Sequence, residues 1–259
     1  MSPTSSLPAP RNGSIASSCF ELETAGKHMN MIKLILPVAL VISFASLIDA
    51  QPANIPPPTR ESIEWCDIWI SHANETDLPR VLLIGDSITR AYYPEVEKNL
   101  EGNAYVGRLS SSAFISDPVL LDQIKMVLSQ YKFDIIHFNN GMHGWQHSEK
   151  EYEQAFPKFL KTIQKYAPNA KLIWANTTPL KMSPSLAADN QTQATDERIA
   201  ARNAIALKIV QMNGIPVDDL NTPMRGHPEY HSDNVHFNDQ GIALQAAQVA
   251  AHIEKQLTP

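Results

Sequence analysis

Three residues of this chain are of the types needed for acyl transfer: Ser87, Asp233 and His236. Ser87 follows the apolar run Val81-Leu82-Leu83-Ile84, which stops abruptly at Gly85-Asp86. The pattern predicts a buried strand, a turn and a helix beginning near Ile88. In an open α/β fold the Ser87 hydroxyl then lies at the carboxyl edge of the sheet, where such folds hold their ligands. Its N–H lies at a helix start, where unpaired amides and the helix dipole favour developing negative charge. Asp and Ser are also ordinary turn and N-cap residues, so this motif alone does not separate a nucleophile from a turn. Asp233 and His236 stand three apart in SDNVHFNDQG, residues 232–241, just before the last helical pattern. In a turn, that spacing brings a carboxylate under one ring nitrogen of the histidine. The carboxylate fixes the tautomer and stabilises the imidazolium, while the other nitrogen faces a hydroxyl.

The elements that must position these residues follow from the apolar periods. Besides the strand ending at Ile84, strands are predicted at Asn103 to Gly107 (ending at Gly107), Asp134 to Phe138, Lys171 to Asn176 and Ile215 to Leu220. Helical patterns lie between them. Tyr92 to Leu100 continues the helix after Ser87. Asp117 to Tyr131 opens with Pro118 and turns Val119, Leu120, Ile124, Val127 and Leu128 inward. Glu149 to Ala167, Thr195 to Asn213 (capped by Thr195) and Asn238 to Gln256 complete the set. Glu61 to Ser71 spaces Ile63, Trp65, Ile68 and Trp69 as a short helix capping one sheet edge. Strands alternating with helices imply a three-layer α/β/α sandwich with a mostly parallel five-stranded sheet.

The chain has 259 residues and a formal net charge of −6. With no basic cluster, this argues against nucleic acid as partner. Residues 1–28 read as a disordered or upstream segment. Residues 29–50 hold Lys33, the apolar run Leu34 to Ile48 and a possible cut after Ala50, the layout of a secretory signal peptide. The run is short for a spanning helix and is interrupted by Pro37. Residues 51–60 are a Pro-rich linker and 61–259 the folded domain. The expectation is a secreted or periplasmic monomer with no membrane span once the signal is removed. The mature part, roughly 209 residues, suffices for one core and is too short to suggest two domains. Of the two cysteines, Cys19 precedes the signal, so Cys66 stands alone and is expected as a buried thiol. Glycosylation triplets begin at Asn74, Asn176 and Asn190.

Gly85-Asp86-Ser87-Ile88-Thr89 together with Asp233-Asn234-Val235-His236 resembles the SGNH (GDSL) hydrolase superfamily over Arg80 to Leu257. The resemblance implies a flavodoxin-like sheet and ester hydrolysis without metal or cofactor. Ser87 would be the nucleophile, His236 the base and Asp233 the orienting acid. The oxyanion hole of such enzymes combines the nucleophile's amide, a glycine amide and an asparagine side chain. Gly107 fits the glycine. The third block departs from the family's Gly-x-Asn-Asp: here it reads DIIHFNNGMHG, residues 134–144. Aligning Gly141 with the family's glycine puts His143 at the asparagine position, with Asn140 as the other candidate. A neutral histidine donates one N–H, so His143 suits the role chemically. Asn140 is equally able to hold the loop.

His227, His231, Asp233 and His236 crowd one stretch, yet their spacing matches no common zinc pattern. His227 and His231 are therefore read as loop or pocket-rim residues. Trp145 is a candidate to stack on a sugar ring, or to brace the loop. The reading is a serine esterase acting on a small or polymeric ester, with O-acetyl groups on carbohydrate favoured. The block through His143-Gly144-Trp145 looks distantly like the Gly-His-Trp segment of sugar O-acetyl enzymes. A lipase, lysophospholipase or thioesterase is the alternative; a carbohydrate O-acyltransferase and a non-catalytic carbohydrate-binding module stand further off.

Overall fold

The run Val81–Ile84 contains no polar residue, which suits a strand covered on both faces. In a computed structural model of the chain, which describes residues 58–181 and 194–257, it is the middle of strand β2 (Arg80–Gly85), buried throughout. The upstream segment, the signal stretch, most of the linker and the triplet at Asn190 lie outside the described residues. Leu82 and Ile84 point into one core, formed with helices α2 (Pro118–Gln130), α3 (Glu149–Tyr166) and α4 (Asp196–Met212). Val81 and Leu83 point into the other, formed mainly with α1 (Ser87–Asn99) and the last helix, α6 (Asp239–Leu257). The period-2 alternation of one strand thus feeds both layers of the α/β/α sandwich.

The sheet has six strands in the order β1-β3-β2-β4-β5-β6. β3 (Tyr105–Ser111), β2, β4 (Ile135–Phe138), β5 (Lys171–Ala175) and β6 (Val217–Asp218) run parallel. From β2 the chain moves outward to β3, then returns to β4 on the other side of β2. The carboxyl end of β2 is therefore a topological switch point, where a crevice opens above the sheet. A short helix, α5 (Asn221–Arg225), and a 3₁₀ turn at Pro228–Tyr230 lead to the segment carrying Asp233 and His236. No helix among the described residues is long and apolar enough to cross a membrane.

Several expectations are corrected. The predicted edge helix is instead strand β1 (Cys66–Ile70), antiparallel to β3, which is the sixth strand. Ladder bonds along β3 decide its conformation, overriding the helical spacing of its aromatics. As an edge strand it leaves Cys66 exposed rather than buried. β3 continues four residues past Gly107, because Ile70↔Gly107 through Cys66↔Ser111 are all paired with β1. Val119 stands on the solvent side of α2. The end of the linker is not loose. Arg60 pairs with Asp117 at 2.6 Å, and the Thr59 carbonyl accepts a hydrogen bond from Gln146 at 3.2 Å.

The strand-to-helix turn leaves room for nothing larger than glycine at position 85: a Cβ there would lie 2.0 Å from Thr89 Oγ1. Thr89 is itself held by Tyr92, oxygen to oxygen 3.0 Å. Gly85→Ala is expected to destabilise the protein by about 1–3 kcal/mol through this overlap. Urea unfolding checks it, and a midpoint equal to that of the parent protein would contradict the packing described.

Candidate active site

Asp86 caps α1, its Oδ1 accepting from the Ile88 N–H at 2.9 Å. This sets Ser87 at the first helical position, where the amide has no intrahelical partner. Ser87 Oγ lies 2.8 Å from His236 Nε2, and His236 Nδ1 lies 2.8 Å from Asp233 Oδ2. The other Asp233 oxygen accepts from the N–H groups of Val235 and His236, both at 2.7 Å. One carboxylate thus closes its own turn and aligns the ring that follows it. Partial burial of Asp233 opposes ionisation, but the His236 and Val235 amides and the His236 ring outweigh it and hold the carboxyl at about 2. The turn is anchored by Ser232 N–H to the His236 carbonyl and by Lys181 N–H to the Asn234 carbonyl, both 2.9 Å. The three residues nominated by spacing are brought together.

The loop after β4, residues 139–148, forms the opposite wall. Asn139 Nδ2 ties it to the Ala175 carbonyl at 2.7 Å, and Ser148 closes it with a capping box at the start of α3. Arg202 of α4, with no exposed surface, donates to the carbonyls of Gly141, His143 and Gly144 at 2.9, 2.7 and 3.0 Å. Burial lowers its guanidinium to about 10, still charged at neutral pH. Gly144 has φ +72° and a Cβ there would meet the Phe114 ring at 2.2 Å, so only glycine fits.

His143 faces the same cleft as Ser87. Its Nδ1 lies 3.0 Å from Glu61 Oε2, and its Nε2 is buried without a hydrogen-bond partner. Glu61 Oε1 accepts from the Gly144 N–H at 2.9 Å. Burial opposes charge on His143, yet the Glu61 bond and the fields of Asp86, Glu61 and Glu64 raise it above its ordinary value. Burial likewise opposes charge on Glu61, and is outweighed by His143, the Gly144 amide and Arg202, which lower it. The cleft, about 600 Å³, is walled by Ser87, His236, His143, Trp65, Trp145 and Arg90 among others.

The other nominated residues divide between the cleft and its surroundings. Gly107 is in mid-strand, paired with Ile70 and Leu82, whereas Ser110 is the β3 residue level with Gly85. It is not at the cleft; a Cβ there would lie 2.9 Å from Ile70 Cδ1, the flexible end of that side chain, and 3.2 Å from the Trp69 carbonyl oxygen. The amides beyond Ser110 are engaged, Ser112 N–H with the Trp65 carbonyl and Ala113 N–H with Ser111 Oγ. Asn140 is buried, and one of its two Nδ2–H donors goes to the Ala113 carbonyl at 3.1 Å, bracing the loop. Trp145 does wall the cleft, with the Arg202 guanidinium 4.1 Å from its ring centroid. His227 pairs with Glu229, and His231 faces the Pro179 carbonyl. Among the described residues, no group of three or more His, Cys, Asp or Glu side chains converges to hold a metal ion.

Residues 83–244 match the GDSL-like Lipase/Acylhydrolase family. The chain belongs to this family. It is accordingly a carboxylic ester hydrolase of the SGNH/GDSL type. No curated protein matches the chain. Among solved structures it is similar to a GDSL-like lipase from Bacteroides thetaiotaomicron, at 18% identity and TM-score 0.56, covering 68% of this chain and 88% of that one. It is also similar to a carbohydrate acetylesterase from Sinorhizobium meliloti, at 12% identity and TM-score 0.53, covering 68% and 99%. A carbohydrate esterase family 3 protein from Talaromyces cellulolyticus matches at 17% identity and TM-score 0.53, covering 70% and 98%. At these identities the likeness is one of fold.

Glu61, Trp65, Arg90 and Arg202 escaped the sequence reading of this GDSL hydrolase. Glu61 and Trp65 fall in the stretch expected as a helix, and Arg202 lies within the helical pattern Thr195 to Asn213 with no local signal to single it out. Replacing Arg202 with Met leaves three buried carbonyls without a charged donor and should cost about 3–5 kcal/mol. That lowers Tm by on the order of 10 °C, measured by thermal unfolding; an unchanged Tm would refute the bracing role.

Proposed function

We propose that this hydrolase is an exported serine esterase that removes O-acetyl groups from carbohydrate, with Ser87 as nucleophile, His236 as base and Asp233 as orienting acid. The observation that carries it is the pair of 2.8 Å contacts linking Ser87, His236 and Asp233 beside an open cleft. Trp65 and Trp145 on the cleft walls support a sugar substrate, since aromatic faces suit the apolar faces of sugar rings. Two of the structural neighbours being carbohydrate esterases supports the same substrate class. Export rests on the apolar stretch at residues 34–48 and the possible cut after Ala50.

His236 Nε2 takes the Ser87 proton as Oγ attacks the ester carbonyl carbon, and the carbonyl π pair moves onto oxygen. The Ser87 amide, reinforced by the α1 dipole, and the His143 side chain hold that oxyanion. Collapse expels the sugar hydroxyl, which takes its proton from His236, and leaves an acetyl group on Ser87. Water then gives a proton to His236 and attacks the acyl carbon. The second collapse frees acetic acid and returns the proton to Ser87. Asp233 stays ionised throughout and stabilises the imidazolium.

Ser87→Ala should abolish hydrolysis of nitrophenyl acetate, and Asp233→Asn should lower turnover by roughly 10²–10⁴ by admitting the wrong tautomer. Activity surviving in Ser87→Ala would overturn the mechanism. A second measurement compares nitrophenyl esters of increasing chain length, followed by acetate release from acetylated xylan or pectin. Preference for long chains would replace the carbohydrate reading with a lipase-like one. Product esters formed in the presence of an acceptor sugar would indicate acyl transfer.

A further inference from the structure

A neutral imidazole has one N–H, and the placement of that proton follows from the partner of each nitrogen. His143 Nδ1 lies 3.0 Å from a carboxylate oxygen of Glu61, which as an ionised group can only accept. Neutral His143 would therefore carry its proton on Nδ1, facing Glu61, and a lone pair on Nε2. A lone pair on Nε2 would offer an oxyanion no hydrogen bond. The neutral donor expected from the sequence does not satisfy this geometry. Only the doubly protonated ring bonds Glu61 through Nδ1–H and still offers an N–H on the unpartnered Nε2.

We infer that Glu61 is a positioning residue that holds His143 as an imidazolium, so that the oxyanion of this esterase is stabilised by a cation where the family uses an asparagine amide. The inference rests on the reading of Ser87 as nucleophile. Groups facing the ring agree with it. Glu61 and Glu64 come from the segment before β1 and Asp86 from the β2–α1 turn, and all three favour positive charge on His143. On the cationic side, Arg202 from α4 takes the His143 carbonyl, while Arg90 of α1 and His236 share the cleft. Glu61 is itself fixed by the Gly144 N–H, and Gly144 by Arg202, so the carboxylate cannot swing away without breaking the loop. The raised titration of His143 and lowered titration of Glu61 are the signs expected of such a pair.

The consequence is a second titration in the rate. His236 acts as base through its neutral ring. His143 must be protonated to act as donor, which sets an alkaline limb above the ordinary histidine value of 6.5. In Glu61→Gln the Gly144 N–H keeps the amide oxygen, so the amide NH₂ turns toward His143 Nδ1. That reverses the tautomer, puts a permanent N–H on Nε2 and removes the need for a charge.

The test is kcat/KM for nitrophenyl acetate against pH in the parent protein, Glu61→Gln and His143→Ala, together with ¹⁵N NMR of the histidine rings. The expected result is an alkaline limb in the parent that vanishes in Glu61→Gln. His143→Ala should lose about 10²–10³ in turnover across the whole range. The NMR should show both His143 nitrogens protonated at the pH of maximal rate, with Nε2 losing its proton over the alkaline limb. An alkaline limb identical in the parent and Glu61→Gln, or a His143 ring protonated only on Nδ1 at the optimum, would overturn the inference. The NMR readout needs no turnover, so it decides even if Ser87→Ala shows the nucleophile to be wrong.

Discussion

A guanidinium withdrawn wholly from water must be surrounded by acceptors, and around Arg202 those acceptors are the carbonyls of the loop that walls the cleft. Its planar fork suits several acceptors at once, and its faces lie over Trp145 and near Phe114 and Tyr152. The loop after β4 has no regular structure of its own, and Arg202 joins Asn139, Asn140 and Glu61 in fixing the backbone that carries His143 and Trp145. Arg198 adds to the clamp through the Trp145 carbonyl at 2.8 Å. Such an arrangement costs desolvation, which is why the Arg202 titration is lowered, and what it provides is a fixed geometry at the cleft.

The other wall owes its position to the sheet. β2 ends at the switch point, α1 begins at once, and the Gly85–Thr89 contact leaves no slack between them. The proposed nucleophile is therefore set by the backbone of two rigid elements. The proposed base comes from an irregular segment and depends on local bonds, above all the Asp233 carboxylate that accepts from two amides of its own turn. The negative groups Glu61, Glu64 and Asp86 all favour positive charge on the His143 ring. In the proposed mechanism a developing oxyanion meets the His143 ring and the amide end of α1 together.

What could be read from the sequence divides by range. Strands β2, β4 and β5 are apolar runs bounded by polar turns, and Asp233 and His236 share one turn, so local pattern was enough for both. β1 was misread because Ile63, Trp65, Ile68 and Trp69 happen to fall at helical spacing, while the strand exists through pairing with β3. Gly107 was taken as a strand end for a related reason. It stands in mid-strand, opposite Ile70 of that unforeseen edge strand. The Glu61–His143 contact joins residues 82 apart, and nothing in the composition of either segment marks the pairing. Nor did the sequence reveal that one donor of the Asn140 amide goes to the Ala113 carbonyl.

The most direct test of the acyl-enzyme account is mass spectrometry of the protein after brief reaction with a slowly turned-over aryl ester, quenched in acid. The account predicts one acyl group, mapped to the peptide containing Ser87, and its absence when His236 is replaced by Asn. Hydrolysis proceeding with no acylated species, or the acyl group found on any other residue, would contradict it.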